Sequence, residues 1–358
     1  MAMADNIGYA TGDAAAPLEP WLFERPDVGL EDMLIDIAFC GVCHSDIHQA
    51  RDELGGPLAT NYPCMPGHEI VGTVAQVGDQ VTRHAVGDRV GVGCLVYWGA
   101  ESQRGVGDEQ YQNPPAVFTY NAADPDTGEV TFGGYSDQIV VHEHFVLAIP
   151  AALDLPAAAP LLCAGVTTYA PLRRWDVGPG STVAVAGLGG LGHLAIKLSK
   201  ALGADSVLAL TTTADKAAGA RAAGADEVLV MTEDTPAGEH AGSIDLVLTT
   251  IPTGFDMNPY LSLLRPGGVL ATVGLLEPVP AGAIDFRLVS LKRLTIGGSL
   301  IGDLAQTQEV PDFCAEHGIV AAIEKISISQ INDAHDRMVD RDVEFRFGID
   351  NQTLAAAR

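Results

Sequence analysis

One stretch constrains the fold of this chain more than any other: Gly187-Leu188-Gly189-Gly190-Leu191-Gly192, a GxGxxG run set inside a regular alternation of strand and helix signals. The apolar segments TVAVAG (182–187), SVLALT (206–211), EVLVM (227–231), IDLVLT (244–249) and GVLATVG (268–274) are separated by stretches long enough for helices. Such alternation predicts βαβ units and an α/β, doubly wound parallel sheet. The glycine run follows the first of these strands and opens a helix whose Leu191, Leu194, Ala195, Leu198 and Leu202 share one apolar face. Gly203 suits the left-handed residue that ends a helix. Glycines at these positions permit a tight turn and close approach of a pyrophosphate, and the helix N-terminus favours its negative charge. Gly187, Leu188, Gly189, Gly190, Leu191 and Gly192 are therefore expected to cradle a dinucleotide, against the blander reading of a bare glycine turn.

The end of the second strand bears on which dinucleotide. NAD-binding units place Asp or Glu there, on the ribose 2′-hydroxyl. Here the segment reads Leu210-Thr211-Thr212-Thr213-Ala214-Asp215-Lys216. Hydroxyls and an ammonium suit a 2′-phosphate, whereas a carboxylate would repel it, and Asp215 falls too late in the loop to be the ribose acid. NADP(H) held by Thr211, Thr212, Thr213 and Lys216 is the expectation. The alternative is that the threonines merely cap the next helix.

The flanking sequence has a different rhythm. From about Ile7 to Pro150, short apolar runs such as MLIDIAF (33–39), EIVGTVAQVG (69–78) and SDQIVVHEHFVLAIP (136–150) are broken by Gly and Pro, as in a small all-β unit. After about Leu288 mixed short elements return, and this tail is expected to pack on the first unit. The chain has 358 residues, enough for two domains. Its formal net charge is −26 and it contains five Lys, the first at Lys197. A surface that negative repels phosphate backbones and anionic lipid, which argues against nucleic-acid and membrane roles and suits a salt-rich setting. No apolar run approaches the 18 residues of a membrane helix, and acids stand near the N-terminus where a secretory leader is basic. Six cysteines are too sparse for a disulfide framework, so a reduced, cytoplasmic protein is expected.

Three stretches carry metal-ligand residue types: Cys40-Gly-Val-Cys43-His44-Ser45-Asp46-Ile-His48, Pro66-Gly67-His68-Glu69 and Leu162-Cys163. Catalytic zinc takes three protein ligands and leaves a position open, and two Cys with one His is a known set. On spacing alone, Cys40 and Cys43 also allow a redox pair or half of a structural zinc site, although there is no second CxxC.

In order along the chain, CGVCHSDIHQAR, YPCMPGHEIVG, VGDRVGVGC, GGYSDQIVV, APLLCAGVTTYAPL, GLGGLGH and FRFGID resemble the zinc-dependent alcohol dehydrogenases of the medium-chain dehydrogenase/reductase superfamily. The similarity is to the cinnamyl-alcohol-dehydrogenase-like branch, and most to bacterial, broad-specificity NADPH-dependent aldehyde reductases. It implies a GroES-like β-rich catalytic domain over residues 1–152 and 289–358, with a Rossmann domain over 153–288. It implies zinc ligands Cys43, His68 and Cys163, with Glu69 at or beside the ion and Asp46 orienting a ligand. Ser45 and His48 would relay a proton. Thr167, Thr250, Gly274, Ser299, Leu300 and Arg346 fall where the family contacts its cofactor. Phe118 falls at an aromatic wall of the substrate pocket, which suits a flat aryl or allylic aldehyde. Cys40, Cys64, Cys94 and Cys314 are read as small buried apolar residues.

The family's four-cysteine lobe, which holds a structural zinc, aligns here with Gly99, Ser102, Gly105 and Gln112. None is a zinc ligand, so one catalytic zinc per chain is expected and no structural one. The implied activity is reversible reduction of small-molecule aldehydes to primary alcohols with NADPH, in a homodimer. Two alternatives stand beside it. An NAD-dependent secondary-alcohol or polyol dehydrogenase is disfavoured by Thr211–Lys216. A metal-free, non-catalytic dinucleotide-binding protein is disfavoured by a complete ligand set with a proton relay.

Overall fold

The alternating runs of the first third build an antiparallel sheet whose length is set by one strand. A computed structural model describes residues 6–97, 107–112, 116–123, 128–231, 238–274, 277–340, 342–343 and 345–357. Elements are numbered in chain order. A hairpin of β1 (Asn6–Ala10) and β2 (Glu19–Phe23) precedes β3 (Asp32–Gly41), whose Met33, Ile35 and Ile37 point into the core. One edge of β3 pairs antiparallel with β4 (Ile70–Val77), which continues to β5 (Arg89–Val92). The short ladder of β6 (Leu95–Tyr97) and β7 (Val117–Phe118) stands apart. The other edge of β3 is shared: β8 (Gln138–His142) takes Asp32–Asp36, and a strand from the C-terminal tail takes Phe39–Gly41. β9 (Val146–Ala148) closes the β5 edge. This unit also carries α1 (His44–Ala50) and α2 (Leu155–Ala158).

The parallel sheet follows, from β10 (Thr182–Ala186), β11 (Ser206–Thr211), β12 (Glu227–Val230), β13 (Ile244–Thr249), β14 (Leu264–Thr272) and β15 (Thr295–Gly298). Their spatial order is β12-β11-β10-β13-β14-β15, all parallel, so the winding reverses between β10 and β13. That switch point is where doubly wound sheets bind ligands. Strands covered on both faces read as nearly continuous apolar runs, which is why the sequence located β10, β11 and β13. α3 (Ala164–Arg174) precedes β10, and α4 (Gly192–Ala201), α5 (Ala217–Ala222), α6 (Asn258–Leu263) and α7 (Phe286–Lys292) lie between successive strands. Leu194, Ala195 and Leu198 of α4 are wholly buried, and Gly203 has φ 90°. Leu208, Val247, Leu261 and Leu270 belong to one core cluster. Truncating Leu270 to Ala costs about 2–5 kcal/mol at a site so fully enclosed.

The tail then returns to the first sheet through α8 (Leu304–His317), β16 (Ile323–Ser327), α9 (Ile331–Val339) and β17 (Arg346–Asp350), with β17 parallel to β16 and antiparallel to β3. The compact units are Met1–Cys163 with Asp303–Arg358, and Ala164–Gly302. Both borders fall later than the expected 152/153 and 288/289, for reasons of pairing. The residues of α2 pack on β3, β4 and β17, and β15 is the sixth strand of the parallel sheet.

Of the lobe positions, Gly99, Ser102 and Gly105 lie outside the described residues. The side-chain amide of Gln112 donates to the Gly107 carbonyl at 3.0 Å. Nearby, the buried Glu109 carboxylate accepts the Leu304 N–H that opens α8, a charge placed where the helix dipole favours it.

Candidate active site

Cys43 ends the turn after β3 and stands just before α1, where the Asp46 carboxylate reaches back to its N–H at 2.9 Å. This is the reciprocal arrangement that fixes a helix entry. His68 and Glu69 lead into β4. Gly67 before them has φ 106°, and a Cβ there would come within 2.8 Å of Gly134 and Tyr135, so only glycine allows this path. Cys163 follows a 3-10 turn at Ala159–Leu162. The chain thereby brings one donor atom each from Cys43, His68, Glu69 and Cys163 within 4.8 Å of one another, all buried. His68 Nε2 lies 3.1 Å from Cys163 Sγ.

Asp46 is wholly buried and holds this group from behind. Its Oδ1 faces His68 Nδ1 at 3.1 Å and accepts the Gly67 N–H at 3.3 Å, while Oδ2 accepts the Cys43 N–H and the Tyr135 hydroxyl. A carboxylate on Nδ1 leaves Nε2 as the ligating nitrogen. Tyr120 stacks on the other side of the His68 ring, with centroids 5.6 Å apart.

The electrostatics suit a cation. The Cys43 thiol is drawn well below its ordinary range by a hydrogen bond from Cys163, with help from Arg346 and His68. Cys163, as the donor in that pair, is pushed well up. Burial acts to lower His68, but the charges of Cys94 and Asp46 carry it well above its ordinary value. Burial raises the Glu69 carboxyl to about 7, against the pull of Arg346. One Glu69 oxygen accepts from Arg346 Nη1, and the other, Oε2, is buried without a hydrogen-bond partner among the described residues. Two sulfurs, an imidazole nitrogen and an unpaired carboxylate oxygen form a donor set of the borderline-soft kind that zinc takes. Binding requires loss of the protons held on His68 and Cys163.

Several expected residues sit differently from their anticipated roles, and several were missed. Cys94, read as a small apolar residue, is half-buried, and Cys163 draws its thiol below the ordinary value; it lies outside the set of Cys43, His68, Glu69 and Cys163. Arg346, expected on the cofactor, is 3% exposed, with Nη1 held by Glu69 and by the Val42 carbonyl at 3.3 Å. Ser45 is half-buried on the first turn of α1. His48 is one-third exposed, and its Nδ1 lies 2.6 Å from Glu53, a carboxylate that sequence reading did not single out although it lies five residues on. Phe118 is half-buried in β7, two residues before Tyr120.

In the other unit, Gly187 has φ 93°, and a Cβ on Gly192 would run into the Gly187 carbonyl oxygen. Two of the six loop positions therefore have a backbone reason to be glycine. The Thr250 hydroxyl donates to the Gly187 carbonyl at 3.1 Å, and Gly274 is held close to the backbone of Ile251. Lys216 Nζ donates to the Leu188 carbonyl at 3.3 Å, which sets the ammonium beside the glycine loop. Thr212 and Thr213 are exposed, whereas Thr211 is buried and its hydroxyl closes a turn with Thr213. Thr211 is thus engaged within its own loop, and the residue that precedes α5 as its N-cap is Lys216, with no side-chain cap bond. Thr167 lies on α3; Ser299 and Leu300 follow β15, with Ser299 N–H donating to the Thr272 carbonyl.

Residues 29–151 match the alcohol dehydrogenase GroES-like domain family, and residues 190–316 match the zinc-binding dehydrogenase family. Aldehyde reductase YahK of Escherichia coli is 48% identical over 342 residues, covering 95% of this chain and 97% of that protein. NADP-dependent alcohol dehydrogenase C 1 of Mycolicibacterium smegmatis is 47% identical, covering 98% and 99%. Among solved structures, a cinnamyl alcohol dehydrogenase of Sorghum bicolor superposes with a TM-score of 0.91 at 37% identity, covering 97% of this chain and 98% of that one. The Helicobacter pylori enzyme complexed with NADP(H) does so at 0.87 and 36%, with the same coverage. With its glycine loop, its buried cysteine–histidine–carboxylate cluster and these relatives along almost its whole length, the chain belongs to the zinc-dependent alcohol dehydrogenases of the medium-chain superfamily, in the cinnamyl-alcohol-dehydrogenase-like branch.

Proposed function

We propose that the protein reduces aldehydes to primary alcohols with NADPH, reversibly and over a broad range that favours aryl and allylic substrates. The observation that carries this reading is the buried set of Cys43, His68, Glu69 and Cys163. Zinc supplies Lewis acidity toward the carbonyl oxygen and NADPH supplies the hydride. Cys43, His68 and Cys163 hold the ion, Glu69 stands as an alternate donor balanced by Arg346, and Asp46 keeps His68 presenting Nε2. Ser45 gives the proton that the product oxygen needs. His48, its tautomer set by Glu53 and its ring open to solvent, restores that proton from outside. Lys216, Thr212 and Thr213 take the 2′-phosphate, consistent with the NADP-dependence named for the relatives. Thr167, Thr250, Gly274, Ser299 and Leu300 line the rest of the cofactor, and Phe118 walls the substrate.

The ligand types missing at Gly99, Ser102, Gly105 and Gln112 imply one zinc per chain, and elemental analysis returning two would refute that count. A second copy of the chain docks at the open edge of β15, a four-residue strand paired on one side by β14. Next to it, Phe286 and Leu291 of α7 are 68% and 86% exposed. Six free cysteines fit a reducing, cytoplasmic compartment; no single helix among the described residues is long and apolar enough to cross a membrane.

The deciding experiment is NADPH oxidation with cinnamaldehyde, with and without a zinc chelator. Turnover abolished by the chelator and restored by zinc is the expected result. Absence of turnover with NADPH and NADH across several aldehydes would refute the reading.

A further inference from the structure

We infer that Tyr135 and His335 are positioning residues for the metal cluster, and that helix α9 of the C-terminal tail thereby governs how firmly the ion is held. This rests on the zinc reading of Cys43, His68, Glu69 and Cys163.

The argument begins with a residue out of place. The inward face of α9 is Ile331, Ala334, His335 and Met338, all buried, and His335 is the polar member of an otherwise apolar stripe. A buried imidazole costs free energy unless it is bonded. His335 Nε2 lies 3.4 Å from the hydroxyl of Tyr135, itself fully buried. Burial lowers the His335 ring to about 4, so at neutral pH it is uncharged and has one N–H to give. The Tyr135 hydroxyl has one proton, and Asp46 Oδ2 lies 3.0 Å away as acceptor. One consistent direction follows: His335 Nε2–H donates to the tyrosine oxygen, Tyr135 O–H donates to Asp46 Oδ2, and Asp46 Oδ1 accepts the proton on His68 Nδ1. The chain ends at His68 Nε2, 3.1 Å from Cys163 Sγ, the nitrogen left to ligate once its own proton is lost.

The backbone holds Tyr135 in this place from both sides. Its N–H donates to the Pro66 carbonyl at 3.0 Å and the neighbouring Gly134 N–H to Gly67 at 2.8 Å, so it is tied to the segment that carries His68. Asn351 clamps the other side, donating to the carbonyls of Gly134 and Ser136 at 2.7 Å each. A hydroxyl so constrained can do one thing, which is to stop the Asp46 carboxylate from rotating. That carboxylate orients one ligand, His68, through its ring, and a second, Cys43, through its backbone N–H. Losing the hydroxyl loosens both ligands together without removing either.

The test uses the zinc-loaded protein and reads the rate at which zinc passes to an excess of a chromogenic chelator. Tyr135→Phe keeps the ring and its packing, and is expected to release zinc about tenfold faster, the lower end of the effect of partners behind metal ligands. His335→Leu moves release in the same direction, by less. Adding His335→Leu to Tyr135→Phe changes nothing further, because the histidine acts through the hydroxyl. His335→Gln, whose amide N–H can donate, recovers most of the wild-type rate. The visible absorption of cobalt-loaded Tyr135→Phe shifts from that of cobalt-loaded wild type, whereas Ile331→Val, a packing change on the same helix, alters neither spectrum nor rate. Release from Tyr135→Phe within twofold of wild type would overturn the inference. So would full additivity of the two substitutions, or equal acceleration by Ile331→Val. A wild-type protein that retains no zinc would instead sink the metal reading itself.

Discussion

Replacing Asp46 with Asn is the sharpest probe of the cluster, since it removes a charge while keeping the shape. The four donors around this carboxylate are arranged two to each oxygen: His68 Nδ1 and the Gly67 N–H on Oδ1, the Cys43 N–H and the Tyr135 hydroxyl on Oδ2. The amide NH₂ must face one of these pairs. Facing His68, it would force the ring proton onto Nε2 and abolish ligation by that nitrogen. Facing Cys43 and Tyr135, it lets the hydroxyl turn round and accept, at the cost of one orphaned backbone N–H. The second placement wins. An orphaned buried donor costs about 1–3 kcal/mol, and weakening the remaining charge-assisted bonds to neutral ones adds about 1–2. The metal-free Asn variant should therefore lose about 3 kcal/mol, or roughly 6–12 °C in melting midpoint for a unit of this size. Zinc affinity should fall about 10–100-fold, because His68 and the Cys43 turn are both less firmly aimed. Calorimetric melting of the metal-free protein and competition against a chelator of known affinity measure the two effects separately. A variant that melts within about 2 °C of wild type and binds zinc within about twofold would show that Asp46 is not the residue that organises the site.

Three other expectations follow from the same structure. Lys216→Ala should raise the KM for NADPH about tenfold or more while leaving that for NADH nearly unchanged, the signature of a lost phosphate contact rather than a damaged loop. Burial holds His335 at about 4 in the folded protein, against 6.5 ordinarily, so the unfolded chain binds the extra proton first and stability is lost as pH falls from 6.5 to 4. That loss approaches about 3 kcal/mol at roughly 1.4 kcal/mol per pH unit, and His335→Leu should flatten the melting-versus-pH curve across this window; an unchanged slope would contradict the assignment. Leu291→Glu places a charge on the most exposed apolar side chain of α7 and should convert dimers to monomers in sedimentation, with turnover per chain retained. A wild-type protein that already sediments as a monomer would remove the basis for docking at β15.

The parallel sheet was legible because its signals are local. Strand, glycine loop and helix follow one another within some twenty residues, and the strands are apolar on both faces, so β10, β11 and β13 lie where their sequences place them. β15 was not legible. Its four residues, Thr295-Ile-Gly-Gly, carry half-buried or exposed side chains and read as loop, so the border of the parallel unit was placed too early. The ligand types Cys43, His68 and Cys163 could be named from motifs, but spacing alone left Cys40 and Cys43 open as a redox pair. Cys163 comes within hydrogen-bond reach of His68 across 95 positions of chain.

By itself the sequence determined what depends on neighbours along the chain: the doubly wound sheet, a glycine loop with two positions that require glycine, the absence of an acidic residue at the end of β11, and the supply of zinc-binding side chains. Tertiary structure decided the rest, because buried polar groups choose partners by distance in space. The fold sends Arg346 to Glu69 across 277 positions, Tyr135 to Asp46 across 89 and His335 to Tyr135 across 200. It also turns Cys94 from a presumed packing residue into a neighbour of Cys163. No periodicity encodes such pairs. They follow from the cost of leaving a donor or a charge unanswered once the sheet of the first unit has closed around it.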